Sequence, residues 1–144
     1  MLNIQKLKKE AQGISVLVVE DSEPIRKQIC RFLEKFFTYV FQAQDGEKGI
    51  EMYELNKPDI IITDLNMPVM DGHEMIKALQ IKSNIIPIII ISAFSNSETL
   101  LESNHLGMVD FVPKPVDFEL IQNALLKAIT KIDTNKNTCR NEDL

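Results

Sequence analysis

Five short runs rich in Val, Ile and Phe recur along the 144-residue chain: ISVLVVE (14–20), YVFQA (39–43), DIIIT (59–63), IPIIIIS (86–92) and VDFVP (109–113). The first, third and fourth carry almost no polar interruption. Strands read this way when both faces of a parallel sheet are covered. Between the runs the period changes. Ile25, Ile29, Phe32, Leu33 and Phe36 make one apolar stripe on a helix, and Pro24 is tolerated because it falls in the first turn. Phe118, Ile121, Leu125 and Ile129 make another, with Asp117 as its expected N-cap. Asp45-Gly46 and Asn56-Lys57-Pro58 are turn signals around a further helix, and Gly107 is placed to end the helix after the fourth strand.

The order is strand then helix, five times over. Right-handed crossovers turn that order into an α/β fold, an open five-stranded parallel sheet with helices on both faces. One domain is expected over 14–132. Residues 1–13 read as an extension, either a short helix or a linker, and 133–144 read as a frayed polar tail. Hydrophobic residues make up 44% of the chain, enough for a substantial core without staples. The formal net charge of -5 argues against direct nucleic-acid binding through bulk positive charge. Two cysteines, Cys30 and Cys139, suggest neither a disulfide framework nor a metal site. The opening MLNIQKLKKE has no apolar signal region, and the run around Ile85–Ala93 is too short to span a bilayer, so a soluble, cytoplasmic protein with no membrane contact is expected.

Ligands of open parallel sheets bind outside the carboxyl ends of the strands. Strand one ends in Glu20-Asp21, strand three in Asp64 and strand four in Ser92, while Lys114-Pro115 follows strand five. Taken singly, each has a plain explanation: a helix cap, a turn, a loop. Together they bring three carboxylates, a hydroxyl and an ammonium to one edge. Three carboxylates repel unless some are protonated or a cation neutralises them. All offer hard oxygen, which suits Mg²⁺. Asp21 and Asp64 are the natural direct ligands, with Glu20 acting through a water and Asn66 offering its backbone carbonyl. A carboxylate beside Mg²⁺ can also attack phosphorus. Lys114, Ser92 and nearby N–H groups would then stabilise the equatorial oxygens.

The stretches VLVVEDSEPIR, IIITDLNMPVMDG, IIIISA and DFVPKP, in this order, resemble the receiver domains of two-component response regulators over about residues 14–132. The resemblance implies strand order 2-1-3-4-5 and a phosphoryl group accepted on Asp64 from a histidine kinase or a histidine phosphotransfer protein. It implies Mg²⁺ on Asp21, Asp64 and the Asn66 carbonyl, Lys114 paired with the phosphoryl group, and a cis peptide bond before Pro115. Ser92 would be the switch hydroxyl. The switch aromatic, often tyrosine, falls on Phe111, which has no hydroxyl to bond at the surface. Asn66 and Phe94 would modulate dephosphorylation, and a bulky Phe94 predicts slow hydrolysis. Output would be a population shift of the surface made by the helix after strand four, strand five and the last helix, controlling a downstream partner or a phosphorylation-dependent homodimer. A chain of this kind turns over no separate substrate and is not read as an enzyme.

Three other readings compete. A haloacid-dehalogenase-type phosphatase wants an acid two residues after its nucleophile, where this chain has Asn66. A flavodoxin-like FMN binder wants a hydroxyl-rich phosphate loop, where this chain has the acidic EDSEP. A receiver-like module that is never phosphorylated would not need the complete acid set and Lys114. His73 and His105 have no ligand-spaced partners and read as surface or capping residues. Cys30 reads as packing.

Overall fold

A computed structural model of the chain describes residues 2–82, 86–93 and 107–142, and their side chains over 4–81, 86–93 and 107–133. The elements in order are α1 (Leu2–Glu10), β1 (Ser15–Val19), α2 (Glu23–Leu33), β2 (Tyr39–Ala43), α3 (Gly46–Asn56), β3 (Ile60–Asp64), α4 (Gly72–Lys82), β4 (Ile88–Ser92), β5 (Asp110–Pro113) and α5 (Phe118–Glu142). The strands form one parallel sheet in the order β2-β1-β3-β4-β5. Among the described residues, strand and helix alternate from β1 to β4 and from β5 to α5 as the apolar periodicity predicts. The helix expected before Gly107, with His105, falls outside the described residues, as does Phe94.

The continuous apolar strands have two covered faces because successive side chains point to opposite sides. Val16, Val18, Ile60, Ile62, Ile89 and Ile91 face one core with α1, α2 and α5. Leu17, Val19, Ile61, Ile88 and Ile90 face the other, with α3 and α4. The central strands β1, β3 and β4 are covered on both faces, so the sheet is a rigid platform that carries polar residues at the ends of its strands.

Local chemistry sets the helix ends. Asp45, an extended residue, accepts from the Lys48 backbone N–H at 2.8 Å and caps α3. Lys57 ends that helix in the left-handed region, with φ 48°. Asp117 accepts from the Glu119 N–H at 2.9 Å at the start of α5. Pro24 occupies the first turn of α2.

Helix is found at both ends of the described chain. Residues 133–142 continue α5 as helix instead of fraying, because neither Gly nor Pro interrupts the chain after Asp117. The first segment is a helix, one of the two readings open to it from sequence. Leu7 and Ala11 are fully buried in the same core as Phe37, Ile129 and Ile132. Four residues apart, they lie on one helical face, which docks on α5. Leu7→Ala should therefore destabilise the whole domain by about 2–5 kcal/mol, the usual range for a buried leucine, visible as a lowered midpoint in urea unfolding.

Candidate functional site

The register of the sheet sets which residues meet. Glu20 extends the β1–β2 ladder by donating its N–H to the Ala43 carbonyl at 3.0 Å. Asp64 is the last residue of β3 and pairs with Ile91; Ser92 pairs with Pro113, and the Lys114 N–H donates to the Ser92 carbonyl at 2.8 Å. Glu20, Asp64 and Ser92 are all buried, at 0%, 4% and 0% exposure, although two of the three are acids. Acids are rarely buried without a compensating charge.

Lys114 supplies part of that charge. Its Nζ donates to Asp64 Oδ2 at 2.8 Å and to Glu20 Oε1 at 2.9 Å. It starts beyond β5 and reaches across β4 to β3 and β1. Burial alone would lower the lysine's pKa, but these two hydrogen bonds outweigh it and hold the ammonium above its ordinary value. Burial pushes the Glu20 carboxyl up to about 7, against the pull of Lys114 and with the neighbouring Asp64 charge adding to the rise.

One cation does not balance the edge. Oxygens of Glu20, Asp21 and Asp64 lie within 4.8 Å of one another. Asp21 is exposed and opens the cluster to solvent. Glu20 Oε2 is buried with no hydrogen-bond donor among the described residues. Three carboxylates against one ammonium, with an unmet buried oxygen and only hard donors, fit a divalent cation.

The loop after β3 is held tightly. Asp64 Oδ1 accepts from the N–H groups of Leu65 at 2.7 Å and Asn66 at 3.3 Å. The loop closes on itself where the Gly72 N–H donates to the Leu65 carbonyl at 2.9 Å. A Cβ at Gly72 would sit 2.2 Å from the Asp64 carbonyl oxygen, so only glycine allows that closure. The Lys114–Pro115 peptide bond is cis. Phe111 is half-buried against the core shared with α3 and α4.

Sequence reasoning singled out Glu20, Asp21, Asp64, Ser92 and Lys114, and the sheet brings them to one edge, with the ion pairs and acid cluster described above. It missed Arg26. That side chain donates through Nη1 to the Glu20 carbonyl at 2.8 Å and through Nε to Gln42 Oε1 at 3.1 Å, tying α2 to the end of β1 and to β2. Nothing in the helical stripe marks it, because it lies off the apolar face.

The response regulator receiver domain model matches residues 16–126, and the chain belongs to that family. It is 36% identical over 137 residues to a protein-glutamate methylesterase/protein-glutamine glutaminase of Clostridium acetobutylicum, covering 90% of this chain and 39% of that protein. It is 30% identical over 112 residues to sporulation initiation phosphotransferase F of Bacillus subtilis, covering 78% of this chain and 90% of that one. Among solved structures, the CheX-CheY-BeF3-Mg²⁺ complex from Borrelia burgdorferi matches with TM-score 0.74 and 27% identity, over 78% of this chain and 87% of that one. The chain thus spans about two fifths of the methylesterase and most of the phosphotransferase. It is a receiver of two-component signal transduction. No helix among the described residues is long and apolar enough to cross a membrane.

The raised Glu20 pKa has a consequence for stability. The folded state holds a proton on Glu20 that the unfolded chain releases from about pH 4.5 upward. Stability is therefore highest below that pH on this account, falls as pH rises, and carries the full cost above about pH 7. The cost is about 3 kcal/mol by linkage. In EDTA, urea midpoints should fall between pH 5 and pH 8, and Glu20→Gln should flatten that dependence.

Proposed function

We propose that this chain is a phosphorylation switch in which Asp64 accepts a phosphoryl group from a histidine kinase or a histidine phosphotransfer protein. The observation that carries the reading is the Lys114 ammonium held at 2.8 Å from Asp64 Oδ2 inside an acid cluster that is still short of positive charge. Such an edge repels an anionic donor until a divalent cation is present, and then receives its phosphoryl group.

Asp21, Asp64 and the Asn66 carbonyl would hold Mg²⁺, with Glu20 acting through a water at its unpartnered Oε2. When bound, Mg²⁺ neutralises the carboxylates and the phosphoryl oxygens. Asp64 is presented by the rigid end of β3 and fixed by the Leu65 and Asn66 N–H groups, so its attack needs little rearrangement. An oxygen–phosphorus bond forms to Asp64, the nitrogen–phosphorus bond of the donor phosphohistidine breaks, and the imidazole nitrogen keeps the electron pair. Lys114 follows the charge as it moves onto the phosphoryl oxygens.

The phosphoryl group adds charge and acceptors at the edge. Ser92 and Lys114 turn to it, and Phe111 moves inward. These movements bias the face formed by β5, α5 and the preceding segment towards a second arrangement read by a downstream protein partner or a second copy of the chain. The domain assists its own phosphorylation and dephosphorylation and turns over no other substrate. The chain works in the cytoplasm. Asn66 and Phe94 set the lifetime of the acyl phosphate.

Incubation with acetyl phosphate and Mg²⁺ should add the mass of one phosphoryl group, lost in Asp64→Ala and in EDTA. A folded protein that gains no mass and binds no beryllofluoride would overturn the reading. Phe94→Glu should shorten the acyl-phosphate half-life, followed by intact mass over time; an unchanged half-life would remove Phe94 from the account.

A further inference from the structure

The loop that would present the Asn66 carbonyl has a second anchor, outside the acid cluster. At the tip of the loop Val69 adopts φ 71°, a left-handed conformation that a β-branched residue rarely takes. The Met70 N–H donates to the Pro68 carbonyl at 2.9 Å across it, closing a three-residue turn. Strained turns persist only where the surroundings over-determine them. Here the constraint comes from α3. The Gly46 N–H, at the first residue of that helix, donates to the Met70 carbonyl at 2.9 Å. The Met70 side chain packs half-buried against the core shared by α3 and α4.

The fit leaves no room for a side chain on Gly46. A Cβ there would stand 2.6 Å from the Met70 carbonyl oxygen, 2.9 Å from Met70 Cγ and 3.0 Å from the Asp71 carbonyl oxygen. Two of the three are backbone atoms of the loop, which cannot rotate aside. Gly46 itself is fixed, because Asp45 before it is buried and caps α3 through the Lys48 N–H. Any added atom must therefore displace the loop. The loop is tethered at its other end where Gly72 closes on Leu65, so the displacement is shared by residues 66–71 between the two anchors.

We infer that Gly46 is a positioning residue for the cation site. It acts from outside the acid cluster, by holding the Met70 carbonyl and with it the loop that carries Asn66. The inference rests on the proposed function for the cation itself, and adds a determinant from a different helix. Residues that orient metal ligands from outside the coordination sphere commonly alter affinity by about 10–100-fold when changed.

The test is a calorimetric Mg²⁺ titration of the folded protein, with thermal midpoint and amide exchange measured without metal. Gly46→Ala should weaken Mg²⁺ by about tenfold or more. Leu7→Ala, which lowers stability from the core on the face of the sheet opposite α3, should leave Mg²⁺ affinity within about twofold, separating position from stability. Met70→Ala keeps the glycine and removes the half-buried side-chain anchor. It should weaken Mg²⁺ by about threefold and speed exchange of the Gly46 amide. Unchanged Mg²⁺ affinity in folded Gly46→Ala would overturn the inference, as would an equal loss in Leu7→Ala. If Gly46→Ala does not fold, Met70→Ala decides alone, and wild-type affinity there overturns it. A wild-type protein that binds no Mg²⁺ would instead sink the proposed function, so the two failures are distinct.

Discussion

The structure turns on one ammonium placed between two buried carboxylates. Lys114 satisfies Asp64 and Glu20 at once, and without it the carboxyl edge would bury two like charges side by side. Removing one partner of such a pair costs about 3–5 kcal/mol, because the remaining charge is left uncompensated. The pair also connects distant parts of the chain. Glu20 and Lys114 are separated by 94 positions, and they meet because β1 and β3 are central while β5 lies at the edge beyond β4. Strand order is thus a condition of the site's chemistry. One strand, β4, lies between Lys114 and Asp64, and two, β4 and β3, lie between Lys114 and Glu20, so the long lysine stem must pass over the ends of the intervening strands, which its apolar methylenes tolerate.

Balance at this edge is deliberately incomplete in the physical sense that three acids face one base. A folded chain normally avoids that, and the raised Glu20 pKa records what it costs. Rigid neighbours let the cost persist. Apolar cores on both faces hold the strands, and the hydrogen-bonded ends of β1, β3 and β4 give the acids no freedom to move apart. The same stiffness makes the edge responsive to a cation or a phosphoryl group. A change in charge cannot be absorbed by the strands, so it passes to the loops and to the side chains at their ends.

Much of the site was legible in the sequence because each functional residue type sits where an apolar run stops. Glu20-Asp21 after VLVV, Asp64 after IIIT, Ser92 after IIII and Lys114 after FVP are marked by the abrupt change from core to polar chemistry. Gly46 was legible only as a turn. Its role depends on Met70, 24 positions away, and glycine carries no chemistry that a pattern can register. Arg26 was equally silent, since one cation on a solvated helix face looks like any other. Phe111 could be placed on β5 from the run alone, yet its partial burial against the α3 and α4 core is a matter of packing.

The amino-acid sequence by itself determined the alternation of strand and helix, the two-sided burial of the central strands and the acids and lysine at their ends. These follow from local periodicity and from which residue types can enter a water-free core. Tertiary structure alone decided that α1 docks through Leu7, with Ala11 just beyond it, that Lys114 bridges Glu20 and Asp64, and that Gly46 pins the Met70 carbonyl. The reason is physical. Those outcomes depend on distances between groups far apart along the chain, set only once the strands have paired and the helices have packed, and no local propensity encodes them.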